Sequence, residues 1–137
     1  MNAAGIAMFS EASFLRHQRK LVIPVIDEWW CWMHNVIFNG SERQSLQVCG
    51  DGQYDSPGFS AKYMCYSIQD ISSGYIVHME FMDKRMCDMV STRMEPAGCI
   101  KSIEKLSEES HVECLVTDAS STIIDLMSKY TYEHTKN

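Results

Sequence analysis

From Ser45 onward the apolar residues change from a helical to a two-residue period and keep it through three short runs. Leu46 and Val48 share one face of the first run. Met64, Tyr66 and Ile68 alternate in the second, 63–69. In the third, Tyr75, Val77, Met79 and Phe81 alternate with Ile76, His78 and Glu80. Such alternation puts every second side chain on the same face of a half-covered strand. Asp70-Ile71-Ser72-Ser73-Gly74 is a turn sequence between the second and third runs. The three runs therefore read as an antiparallel meander.

Helical and strand signals alternate after it. Pro96 suits the opening of a helix, where its missing N–H costs nothing, and Cys99, Ile100, Ile103 and Leu106 form an apolar stripe behind it. Residues 112–117 are nearly all apolar, as in a strand covered on both faces. Ser120 or Ser121 can cap a last helix, with Ile123, Ile124, Met127 and Tyr130 along one side. Upstream, 10–38 is helical. Ser10 or Ser13 caps its start, Pro24 interrupts it, and a second, aromatic helix over 25–37 carries Trp29, Trp30 and Trp32 and ends near Asn39-Gly40. The aromatic helix reads first as a packing helix, and second as a base-stacking platform. The expected class is α/β (α+β), in the order β-β-β-α-β-α, with a helical lead-in over 1–40 and the sheet domain over 41–137.

The 137 residues suit about one domain, and 45% hydrophobic with 22% charged residues gives a globular, soluble chain. No apolar run approaches the ~20 residues that span a bilayer, and Met1–Ser10 lacks the pattern of a signal peptide; no membrane partner is expected. A net charge of −6 argues against a strong free-standing nucleic-acid binder. Basic residues gather at Arg16, Arg19, Lys20 and Arg43, more like a solvated helix face than a phosphate track. The cysteines at 31, 49, 65, 87, 99 and 114 form no Cys-x-x-Cys, and no histidine pair has zinc-finger spacing. That pattern suggests a reducing compartment, no disulfides and no zinc module.

Two aspartates stand where chemistry would need them. Asp51 follows the strand-like 46–49, and Asp118 follows 112–117. Carboxylates at the ends of neighbouring strands are what a divalent-metal phosphoryl-transfer site requires. Plainer readings stay open: Asp51-Gly52 is also a tight-turn signal, and Asp118 can cap the helix after it. Asp55-Ser56-Pro57-Gly58 is a turn with a positioning role. Glu95 reads as a first-turn acid favoured by the helix dipole. His78 alternates with apolar neighbours and reads as exposed or hydrogen-bonded, and His17, His34, His111 and His134 show no pairing suited to a ligand set.

The stretch Cys49-Gly50-Asp51-Gly52-Gln53-Tyr54-Asp55-Ser56-Pro57-Gly58-Phe59-Ser60-Ala61-Lys62-Tyr63 resembles the ribonuclease-H-like catalytic domain of eukaryotic DDE transposases of the THAP-associated kind. Met94-Glu95 with Gly98, and Val116-Thr117-Asp118, are similar to further segments of that family in the same order. Ser13-Phe14, Gln18, Pro24 and Trp29 are similar to its helical lead-in. The resemblance implies metal-dependent DNA cleavage and strand transfer in the nucleus. Asp51 and Asp118 would be catalytic ligands of Mg²⁺ or Mn²⁺, with Asp51 bridging two ions. Ala119-Ser120 stand where those relatives commonly have Arg-His. The family's third acidic residue and its Asp-x-Trp-His segment, beyond a fifth strand, have no counterpart before Asn137. The expectation is thus an incomplete ribonuclease-H-like domain, inactive by itself, with an uncovered fourth strand whose edge favours self-association. The alternative is a non-catalytic DNA- or protein-interaction module of the same origin.

Overall fold

The computed structural model describes residues 9–39, 45–118 and 121–134. Gly40, Arg43, Ala119, Ser120 and most of the N-terminal decapeptide lie outside the described residues. The chain divides into two compact units, Met1–Ser41 and Glu42–Asn137.

The first unit is helical. The Ser10 hydroxyl accepts from the Ser13 N–H at 3.3 Å and caps α1, Glu11–His17. A π-helical turn, Gln18–Val22, leads without a break into α2, Ile23–Asn39. Pro24 thus does not interrupt a helix, as its position in the sequence suggests. It lies second in α2, directly after the π-helical turn, where the i→i−4 ladder has already given way to i→i−5 bonding such as Ile23 N–H to the Gln18 carbonyl. Along α2 the His34 ring lies 4.2 Å from Phe38 and 6.3 Å from Trp30, centroid to centroid.

The second unit is a mixed α+β fold. Its strands are β1 (Leu46–Tyr54), β2 (Tyr63–Asp70), β3 (Ile76–Asp83) and β4 (Val112–Val116), in the sheet order β3-β2-β1-β4. The first three form the expected antiparallel meander, and β4 joins β1 in parallel. A parallel partner needs a crossover, here supplied by α3, Met94–Glu109. A final helix, α4, spans Ser121–His134.

One face of the sheet and one stripe of α3 make the core. Leu46, Val48, Met64, Tyr66, Ile68, Val77 and Met82 are buried from the strands, and Met94, Cys99, Ile103 and Leu106 from the helix. The helix comes close: a Cβ added at Gly98 would lie 3.0 Å from Met64 Cε and from Tyr66 Cβ. At the β2–β3 turn, buried Asp70 accepts from the Ser73 N–H at 2.8 Å, and Gly74 takes a positive φ of 73°.

Four details depart from the sequence pattern. β1 does not stop at Cys49. It continues through Tyr54, because Asp51 and Gly52 pair with Ser67 and Tyr66 of β2 and form no turn. In β3 the inward parity switches. The ladder passes from Ile68–His78 to Gln69–Ile76, leaving Val77 as a bulge. Val77 and Met82 both face inward as a result, while Phe81 is 71% exposed. β4 is not covered on both faces: its five residues are all intermediate or exposed among the described residues, because it lies at the sheet edge. In α4, Ile123 is buried but the adjacent Ile124 is exposed.

Gly50 exposes how tightly β1 is packed. A Cβ there would come 2.6 Å from the Tyr66 hydroxyl oxygen and 2.9 Å from its Cε1. The Tyr66 ring is fully buried and cannot swing away. Gly50→Ala should therefore cost about 1–3 kcal/mol of overpacking strain, read as a lower urea midpoint at unchanged m-value.

Candidate functional site

The parallel pairing of β1 and β4 ends at Cys49–Val116. Asp51 and Asp118 each stand two positions past that pair, so the same register continued would carry both to one level of the sheet. Asp51 lies within β1, not at its end, and is exposed. Its carboxylate accepts from the Gly52 N–H at 2.8 Å. Asp118 follows β4 and is also exposed, with the Thr117 hydroxyl donating to its Oδ1 at 3.2 Å.

A third carboxylate joins them. Glu95, in the first turn of α3, reaches over β1: a Cβ at Gly52 would meet Glu95 Cγ at 3.0 Å. The Tyr54 hydroxyl donates to Glu95 Oε2 through a long contact of 3.5 Å. Burial pushes the Glu95 carboxyl above its usual range, and the negative charges of Asp118 and Asp51 push it further. Tyr54 is raised by burial and by the Glu95 charge. Behind them the Tyr66 phenol is raised strongly, chiefly by burial. It has Cys99 and Thr117 as polar neighbours but makes no well-formed hydrogen bond.

The helix dipole alone does not describe Glu95. Its nearness to the two aspartates was not legible locally, because it depends on where α3 docks. The signal available in the sequence was Gly98, whose missing side chain lets the helix approach the sheet. His78 lies 3.7 Å from Glu80 on β3.

The donor chemistry suits a hard divalent cation. Carboxylate oxygens are what Mg²⁺ selects, and it is commonly held by one or two carboxylates together with waters and substrate phosphates. Asp51 and Asp118 carry carboxylates of that chemistry. Among the described residues, no three His, Cys, Asp or Glu side chains gather closely enough to hold an ion. Strand alternation explains this. Asp51 belongs to the set of Cys49 and Gln53, while Glu95 approaches over Gly52, on the other set. The three carboxylates share an electrostatic field without sharing a coordination point.

The loop after β1 is firmly built. Asp55 Oδ1 accepts from the Lys62 N–H at 3.0 Å, and the Asp55 N–H donates to the Tyr63 carbonyl at 3.1 Å. Gly58 has a φ of 66°, which glycine adopts without steric cost. Lys84 Nζ donates to the Phe59 carbonyl at 2.7 Å. The turn read from Asp55-Ser56-Pro57-Gly58 is thereby tied to β2 and to the segment after β3.

No protein-family model, curated protein or solved structure matches this chain. Among the described residues no helix is long and apolar enough to cross a membrane.

The raised Glu95 carboxyl makes a signed prediction. A carboxyl whose folded pKa lies above its unfolded value favours folding while protonated. That contribution fades as pH rises through the unfolded and then the folded value. Glu95→Gln should therefore stabilise the protein at neutral pH relative to wild type. The difference should vanish once the solution is acidic enough to protonate Glu95 in both states. Urea titrations across that range check it; a neutral-pH loss of stability would contradict the charge crowding.

Proposed function

We propose that the second unit is a ribonuclease-H-like domain derived from a DDE transposase, whose ancestral chemistry was metal-dependent cleavage and joining of DNA. The observation that supports the reading is the parallel β1–β4 pair ending at Cys49–Val116, with Asp51 and Asp118 each two positions beyond it. The strand order β3-β2-β1-β4, with a single parallel pair beside a meander, is what such a domain would require of its first four strands.

In this reading Asp51 and Asp118 hold Mg²⁺ or Mn²⁺. The metal would supply activation of the attacking oxygen and stabilisation of the leaving one. Glu95 sets the charge balance: its negative form raises the local demand for a cation, and its proton relieves the crowding without one. Tyr54 holds the Glu95 carboxylate from the loop side. Two aspartates retain a cation weakly, but a two-metal clamp on both oxygens takes further ligands. The chain on its own is therefore proposed to bind metal without cutting DNA. Nuclear location and a DNA partner follow from the transposase reading. So does pairing of two copies along β4, an edge strand that presents unpaired backbone groups.

A non-catalytic interaction module of the same origin is the second reading, favoured by the net charge of −6 and the absence of a three-ligand cluster among the described residues. Titration calorimetry with Mg²⁺ and Mn²⁺ separates the two. Weak binding that disappears in Asp51→Ala/Asp118→Ala is expected, with DNA nicking at background. Equal heats from wild type and double variant would remove the metal reading. Cleavage abolished by Asp51→Ala would instead overturn the expected inactivity of the chain on its own.

A further inference from the structure

Tyr54 has a second role besides facing Glu95. Its ring, with Ser56, Pro57, Phe59 and Ser91, lines a cavity of about 250 Å³. We propose that this cavity takes one unpaired nucleobase of a DNA strand, with the strand's phosphates against Lys62 and Lys84. The proposal rests on the DNA-handling reading of the neighbouring carboxylates and adds to it the part of the strand that this domain grips.

The occupant is chosen by four features. The lining includes two aromatic side chains, Tyr54 and Phe59, with Pro57, and aromatic side chains are the surfaces on which bases stack irrespective of sequence. The size suits a small ligand: at about 250 Å³ the cavity is below the ~300–1,000 Å³ of sites for drug-sized molecules and has room for one planar heterocycle. Ser91, on the cavity wall, has a buried hydroxyl with no hydrogen-bond partner among the described residues, and a polar base edge that reached it would satisfy it. Two lysines stand beside this loop, Lys62 through its N–H on the Asp55 carboxylate. Lys84 is fixed on the Phe59 carbonyl at 2.7 Å, and Lys62 and Lys84 line a neighbouring cavity of about 150 Å³ in which Arg85 is engaged by Asp83. An aliphatic peptide side chain would use the walls but neither the hydroxyl nor the lysines.

Preorganisation is already present. The Ser60 hydroxyl donates to the Pro57 carbonyl at 2.9 Å, and Asp55 ties the loop to Lys62 and Tyr63, so the walls stand in place before a ligand arrives. Because the Tyr54 hydroxyl also contacts Glu95, a base in the cavity would bring its strand next to the carboxylates. Duplex DNA would need a base extruded from its stack first, so the cavity selects single strands and frayed ends.

The test uses the full chain in EDTA, where metal binding does not enter. Fluorescence anisotropy compares a labelled short oligothymidylate with the same backbone made abasic, and with a duplex. The base-bearing single strand should bind tightest. Phe59 is 79% exposed, so Phe59→Ala leaves the fold intact. It should weaken binding of that strand by about fivefold or more and leave the abasic strand unchanged. Lys84→Gln should weaken both. Absence of binding, equal affinity for base-bearing and abasic strands, or an unaffected Phe59→Ala variant would each overturn the proposal. Calorimetry with Mg²⁺ reports separately on Asp51 and Asp118. A chain that binds metal but ignores the base loses only the cavity proposal. One that prefers the base-bearing strand but binds no metal loses only the cleavage reading.

Discussion

The parallel ladder between β1 and β4 is the contact on which the rest of the second unit depends. It is short, ending at Cys49–Val116, and it joins segments far apart in sequence. Parallel pairing requires a crossover, and the crossover is α3, which closes the core over Met64, Tyr66 and Val77. Asp51 and Asp118 each follow the ladder's last pair by two positions. Displacing it by one residue would send one of the two aspartates to the opposite face.

The site's electrostatics follow from that geometry and from two missing side chains. Gly52 leaves room for the Glu95 side chain above β1, and Gly98 lets α3 settle on Met64 and Tyr66. The consequence is a half-buried acid close to two exposed ones, with its proton held more tightly than a solvated glutamate would hold it. Such crowding is unfavourable for an isolated fold and is relieved by a proton or a cation. Regions where a fold tolerates this kind of repulsion are candidates for function.

Tyr54 links the carboxylates to the loop that follows β1. Its hydroxyl meets Glu95, and its ring walls the cavity over Pro57 and Phe59. The loop owes its shape to Asp55, whose carboxylate and N–H are both engaged, and to the lysine clamp on Phe59. Residues that look like punctuation in the sequence thus form one wall of a built surface.

Local pattern was enough to determine the antiparallel meander, the helix after Pro96, the apolar stripe of Cys99, Ile103 and Leu106, and the candidacy of Asp51 and Asp118. Alternation, turn residues and helical spacing are properties of neighbouring residues, so they survive without a fold. Only the tertiary structure decided that β1 runs on through Asp51 to Tyr54, because its last residues are held by β2 and by no signal of their own. It also decided the parity switch at Val77, which a bulge creates, and the exposure of β4, which follows from its place at the sheet edge. The approach of Glu95 to both aspartates belongs to the same group. It arises from the docking of a helix on a sheet, and a long-range contact of that kind leaves no periodic trace in the chain.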